Sequence, residues 1–148
     1  MKFLGRNVEH PFAVIYPTSS VFASRILDER KSVFVKYTTS EKLTLRLLEC
    51  KKIIIYESNT GRKVTGECDI SSICMMEPSQ VISENGKYLF LSEDELRSYS
   101  HGRENKKLTV FKLNKIKKYS IPIILDHQIT IGGEYISKDE YEQLIQKS

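Results

Sequence analysis

Lys36 stands in the run Val33-Phe34-Val35-Lys36-Tyr37-Thr38-Thr39, a cation inside a β-branched and aromatic stretch. An ammonium there must reach water or an anion, because burying it unpaired is costly. Alternation along a strand puts Phe34, Lys36 and Thr38 on one side and Val33, Val35 and Tyr37 on the other. Lys36 then either snorkels from a half-exposed strand or stands, with Thr38 and Thr39, at the lip of a pocket. A denser basic group follows later. Between positions 103 and 118, Arg103, Lys106, Lys107, Lys112, Lys115, Lys117 and Lys118 face a single acid, Glu104. Leu108, Val110, Phe111, Leu113 and Ile116 alternate with these charges, which describes a strand with one buried and one cationic side. Such a local field attracts phosphate even though the net charge is only +4. Edge lysines that block unwanted strand pairing give the same pattern.

Two glycine-bearing turns lie where phosphate or a base could approach the backbone. Asn59, Gly61, Arg62 and Lys63 form a hairpin tip whose two cations suit phosphate. Gly132-Gly133 followed by Tyr135 offers a backbone cradle beside an aromatic platform. Both are also ordinary turn chemistry. Tyr88, Tyr99, Tyr119 and Tyr135 add aromatic surface near basic residues, as stacking on bases requires. His10, His101 and His127 have no ligand spacing, and no serine sits in a G-x-S-x-G elbow. Glu93, Asp94 and Glu95 are explained by a helix N-terminus, whose dipole favours acids. No metal, organic cofactor or catalytic residue is implied by these patterns.

The totals narrow the class. At 148 residues and 40% apolar composition, the chain reads as one domain spanning 1–148 with a core large enough to fold without metal or disulfide. Cys50, Cys68 and Cys74 are odd in number and match no zinc spacing, so a reducing compartment is expected. The segment M-K-F-L-G-R-N-V-E-H lacks a signal-peptide core, and the longest apolar runs are strand-sized. A cytoplasmic protein with no membrane partner is expected.

The positioning elements follow from periodicity. Pro11–Tyr16 reads as a strand ending at Pro17, and Thr18, Ser19 or Ser20 caps a helix carrying Val21, Phe22, Ile26 and Leu27 to about Arg30. Val33–Tyr37 is a strand. Thr38–Lys42 is a loop, and Leu43–Leu48 fits either a helical turn or a strand. Lys52–Tyr56 is a strand buried on both sides, joined through Ser58–Gly61 to a returning strand Val64–Ile70. Pro78–Asn85 fits a short helix. Ser92 with Glu95 and Ser137 with Glu140 are capping boxes, stapled by Leu91 with Leu96 and Ile136 with Tyr141. Lys107–Leu113 and Tyr119–Leu125 read as separate extended segments, with Pro122 at an edge or bulge, and Ile129–Ile131 as a last strand. The order predicts an α+β domain around a curved, mostly antiparallel sheet or small barrel.

The segments V-F-V-K-Y-T-T (33–39), K-I-I-I-Y-E-S (52–58), V-T-G-E-C-D-I (64–70), Y-L-F-L-S-E-D-E-L-R-S-Y (88–99) and I-T-I-G-G-E-Y-I-S-K-D-E-Y (129–141) together resemble an uncharacterised archaeal family of the PUA-like group. The resemblance implies a pseudo-barrel of mixed, mostly antiparallel strands with flanking helices, in domains that bind RNA or modified bases. The turn Glu29-Arg30-Lys31-Ser32 is similar to one in the related ASCH domains, some of which are amidohydrolases on acetylated cytidine using a lysine of this turn and a threonine on the next strand. Lys31 matches that lysine. Phe34 stands where the threonine is expected, and a phenyl ring supplies no hydroxyl. A shifted set of Lys36, Thr38 and Glu67 is the remaining hydrolase arrangement.

The expectation is therefore a non-catalytic module for RNA or a modified nucleotide. Lys31, Lys36, Arg62, Lys63, Arg103, Lys106 and Lys107 would form its positive face, and Tyr37 or Tyr135 would stack on a base. The pocket would lie between the Lys36 strand with Thr38 and the Gly132-Gly133 loop. A small hydrolase using Lys31 or Lys36, and a protein-interaction module with merely solubilising lysines, are the alternatives. Oligomeric state is not legible.

Overall fold

The structure is a computed structural model that describes residues 10–38 and 43–147; Thr39, named above, lies outside the described residues. The chain runs β1 (Ala13–Thr18), α1 (Ser20–Leu27), β2 (Val33–Lys36), α2 (Leu45–Glu49), β3 (Lys52–Glu57), β4 (Lys63–Met76), α3 (Pro78–Asn85), α4 (Glu93–Ser100), β5 (Leu108–Ile124), β6 (Glu134–Ile136) and α5 (Lys138–Ile145). The strands form one sheet in the order β2-β5-β4-β3-β1-β6. Among the six described strands β1 and β3 pair in parallel and the other pairs are antiparallel; a single parallel bridge also joins Val33 to Leu89. Register shifts at Val64/Gly66, Glu67/Asp69 and Ile70/Ser72 bend the long β4–β5 ribbon. This is the expected α+β architecture of a mostly antiparallel sheet with flanking helices.

Strand alternation divides the core between the two faces of the sheet. Val14 and Tyr16 of β1, Ile53 and Ile55 of β3 and Phe111 of β5 pack with Ile26 and Leu27 of α1 and Leu96 of α4. Ala13, Ile15, Ile54, Tyr56 and Tyr119 face the other way, onto Tyr141 and Leu144 of α5. Local signals fix the helix starts. Ser19 caps α1, and both capping boxes are formed, Ser92 with Glu95 and Ser137 with Glu140. Glu95 Oε1 also receives Arg25 Nη1 at 2.5 Å, tying α1 to α4. That bond and the Ser92 backbone N–H hold the Glu95 carboxyl down at about 2.

Several boundaries differ from expectation. β1 continues through Pro17, which sits opposite Tyr56 in the parallel pairing. The two segments expected at 107–113 and 119–125 are a single strand, β5. Pro122 falls within its irregular stretch, between Ile123, paired with Val64, and Lys118, paired with Gly66. Leu45–Glu49 resolves as helix, capped by Thr44. Ile129–Ile131 is not a strand; the chain turns there, with Gly133 N–H donating to Thr130 O at 2.8 Å, and β6 starts only at Glu134. β-branched composition alone does not make a strand where the chain must turn into β6.

Candidate nucleotide-binding cleft

The end of β2 and the turn before β6 face each other across a cleft of about 390 Å³. Lys36, Tyr37 and Thr38 form one wall, and Gly132 and Tyr135 another; Tyr16, Tyr99 and Arg103 also line it. Lys36 pairs with Thr109 at the last rung of the β2–β5 ladder, which aims its side chain to the same side as Phe34. Its Nζ lies 5.1 Å from the centroid of the Tyr16 ring, a cation–π contact. Burial lowers the Lys36 pKa, and no carboxylate offsets that among the described residues. Thr38, two residues on, shares a hydrogen bond of 2.9 Å with Thr109 Oγ1.

The neighbouring aromatics are held rigidly. Tyr37 and Tyr99 lie with centroids 5.3 Å apart. The Tyr37 hydroxyl donates to Arg103 O at 2.9 Å, and Tyr37 N–H donates to the Tyr99 hydroxyl at 3.0 Å. The Arg103 guanidinium covers both rings, 4.1 Å from Tyr37 and 5.0 Å from Tyr99, and donates to the Tyr99 carbonyl. Opposite, the Arg46 guanidinium lies 4.6 Å from the Tyr135 centroid. Burial raises the phenol pKa of Tyr16, Tyr37 and Tyr135, so these rings stay neutral. Gly133 closes the wall. At φ +80° it takes a left-handed conformation, and a Cβ there would come within 2.6 Å of the Tyr16 ring and 2.8 Å of Ile15 O. Among the described residues no acid lines the cleft.

Two further clefts open from this one. An apolar cleft of about 250 Å³ shares Lys36, Tyr99 and Ile131 with it and is lined by Phe22, Phe34 and Phe90. A more open one of about 630 Å³ shares Pro17 and Ile131 with the apolar cleft and reaches Asn59, Gly61 and Arg62 at the β3–β4 tip. Asn59, Gly61 and Arg62 all have positive φ, at 63°, 85° and 63°.

Of the residues singled out in the sequence, Lys36, Tyr37, Thr38, Arg103, Gly132 and Tyr135 come together around one cleft. Gly133 supports it from behind, and Arg62 lines the outer cleft. Lys31, Lys63, Lys106 and Lys107 line none of the three. Lys31 Nζ instead donates to Lys87 O at 3.2 Å. The basic run also divides: Arg103 reaches the cleft, while Lys112, Lys115, Lys117 and Lys118 of β5 are exposed outside its lining, with Lys118 paired to Asp28 at 2.8 Å. Glu67 does not join Lys36 and Thr38. It is buried on the α5 face, where it accepts from Lys52 Nζ at 2.8 Å, the Tyr119 hydroxyl at 2.8 Å and the Tyr141 hydroxyl at 2.7 Å. Tyr16 and Arg46 were missed. Tyr16 reads as core in its apolar run, and Arg46 lay in a segment with two possible conformations. Among the described residues no group of His, Cys, Asp or Glu could hold a metal ion, and no helix is long and apolar enough to cross a membrane.

Residues 11–138 match the family described as Domain of unknown function (DUF365). An uncharacterised protein of Methanocaldococcus jannaschii is 31% identical over 106 residues, covering 65% of this chain and 98% of the relative. Among solved structures, a serine-to-alanine variant of the ASCH protein from Zymomonas mobilis superposes with a TM-score of 0.78 at 23% identity, covering 94% of this chain and 98% of that one. Unsubstituted ASCH from the same organism gives 0.73 at 23% identity, over 90% and 94% of the two chains. The N-terminal domain of Staphylothermus marinus McrB gives 0.58 at 17% identity, over 97% and 99%. At these identities the structural likeness speaks for the fold, which is ASCH-like and of the PUA-like type. The chain belongs to the DUF365 family.

Proposed function

We propose that the cleft between β2 and the Gly132-Gly133 turn is a receptor for an unpaired base of RNA or for a modified nucleotide. The observation that carries this reading is Lys36, an ammonium partly stripped of water that is met, among the described residues, by the Tyr16 ring and by no carboxylate. A base presents carbonyl and ring-nitrogen acceptors that would meet such a donor. Tyr37, Tyr99 and Tyr135 offer flat apolar surface for stacking. Arg103 and Arg46 add positive charge at the rim, which favours a phosphate-bearing ligand. Among the described residues the lining holds Lys36 and Arg103 and no acid, which agrees with an anionic guest. The ASCH and PUA-like fold supports the same class of partner.

The test is titration of the protein with fluorescent RNA and with free nucleotides at two salt concentrations. Binding that weakens steeply with salt and is lost in Lys36→Ala supports the proposal. Unchanged binding in Lys36→Ala defeats it.

One observation favours a second reading as a small amidohydrolase. A lysine whose pKa is lowered suits a general base, and the Thr38 hydroxyl lies two residues further along the same side. Lys31 and Glu67 are engaged elsewhere, so any such chemistry would rest on Lys36 and Thr38. Hydrolysis of an acetylated cytidine that disappears in Lys36→Ala would establish this reading over the receptor.

A further inference from the structure

We infer that the ligand is a short single strand of RNA crossing all three clefts, not a lone nucleotide in the central one; this rests on the base-binding reading above. The clefts are contiguous. Lys36 and Tyr99 border the central and apolar clefts, Pro17 borders the apolar and outer clefts, and Ile131 borders all three. Their chemistry alternates as a polynucleotide does. The central cleft combines aromatic rings with Lys36 and Arg103. The next is lined by Phe22, with the buried Phe34 and Phe90 behind it and Glu95 tied to Arg25, and its apolar wall would take a second base. The outer one ends at Arg62 and the backbone of a left-handed turn, where the strand's phosphate would arrive.

Two residues along that path are otherwise poorly explained. Arg62 adopts φ 63°, a conformation disfavoured for a residue with a Cβ. Its carbonyl accepts from Leu125 N–H at 3.0 Å, which anchors the backbone. The fold thus holds a strained, non-glycine residue at the mouth of the cleft. Ile131 is 83% exposed at the meeting point of the clefts. An apolar side chain standing there is covered when successive bases pass on either side of it. A single nucleotide seated against Lys36 would meet Ile131 on one side only and would not reach Arg62.

The experiment measures binding of the full chain to uridine monophosphate and to oligouridylates of two, three and six nucleotides, at fixed salt. Affinity should rise by about tenfold for each added nucleotide up to three, then level off. Arg62→Gln should leave monophosphate binding intact, remove most of the gain with length, and lower the salt slope by about 0.7. Arg62→Gly, which relieves the left-handed backbone, should behave the same way, showing that the side chain matters. Ile131→Ser, at an exposed position, should also blunt the gain. Equal affinity for one and three nucleotides would overturn the inference while leaving the base-binding cleft intact. So would Arg62 variants that weaken the monophosphate and the trinucleotide equally. No binding of any of these ligands would overturn both proposals.

Discussion

Replacing Lys36 by methionine should raise stability while destroying binding, a pair of effects that a structural lysine would not produce. Methionine keeps the unbranched apolar stem and removes the ammonium. Burial disfavours that charge in the folded state and lowers its pKa; replacing a fully buried ion pair by apolar side chains is neutral to stabilising by about 1–4 kcal/mol, an upper bound for this half-buried lysine. Loss of the contact with Tyr16, 5.1 Å away, offsets about 0.5–2 kcal/mol of this. The net change is a gain of about 1 kcal/mol, or about 2–4 °C in melting temperature for a chain of this size. Binding loses a charged hydrogen bond of about 1.5–3 kcal/mol, hence roughly 10- to 150-fold in Kd. The difference must also depend on pH in one direction. The unfolded chain holds the Lys36 proton more tightly than the folded one, so wild-type stability rises as pH climbs from the depressed folded pKa toward the unfolded value of about 10.4. The advantage of Lys36→Met is therefore full at neutral pH and shrinks in alkali. Chemical denaturation at neutral and alkaline pH and RNA titration of both proteins test this together. A variant less stable by 1 kcal/mol or more that still binds would refute it, making Lys36 a packing residue.

On the α5 face the same residue type should behave oppositely. Lys52→Met strands the Glu67 carboxylate, whose side chain is 5% exposed, and should cost about 3–5 kcal/mol; adding Glu67→Gln should recover most of it in urea denaturation. Burial alone would raise the Glu67 pKa, but bonds from Lys52, Tyr141 and Tyr119 outweigh it and hold it low. Its contribution is therefore present above the ordinary carboxylate range and is lost as pH falls through the folded value, so Glu67→Gln should flatten the acid limb of a stability–pH curve. Gly133→Ala forces a Cβ within 2.6 Å of the Tyr16 ring at φ +80° and should cost about 1–3 kcal/mol, with weaker nucleotide binding as the turn lifts off. His127 meets Asp126 at 2.7 Å and Glu134 at 3.0 Å. Burial disfavours its charge, yet these bonds raise its pKa above the ordinary 6.5. Its contribution is full below that value and fades as pH rises through the raised one, so His127→Gln should remove a rise in melting temperature seen on acidification.

What the sequence made legible was local. Ser92 with Glu95 and Ser137 with Glu140 are complete within four residues, and both formed as capping boxes. The β3 strand was readable because Ile53–Tyr56 is buried on both faces. Thr38 and Lys36 were placed on one side because strand alternation needs no partner. Failures came where tertiary partners decide. β5 runs unbroken across Pro122 because β4 supplies a long, bulged partner, and Ile129–Ile131 turns because Gly133 must pass under the Tyr16 ring. The face chosen by Glu67 depends on strand register, which one residue of slip inverts. Arg103 and Lys118 stood in one basic run, yet the chain turns before β5 and the strand then bends, sending them to different surfaces.

Lys36 and Lys52 show why the cleft is better argued from partners than from composition. Each sits at one end of a buried strand in the same sheet, and each has one β-branched neighbour, Val35 or Ile53. Lys52 is met by Asp69 at 2.6 Å and Glu67 at 2.8 Å, so its charge is matched within the fold and its pKa rises. Lys36 is met by an aromatic ring, and its pKa falls. A fold that pairs one half-buried lysine with two carboxylates has the means to pair the other. Leaving Lys36 without a carboxylate among the described residues, beside tyrosines held by Arg103 and a wall that only glycine at 133 allows, keeps an energetic cost that ligand binding would relieve. That cost, more than the number of lysines in the chain, is the reason to place the ligand there.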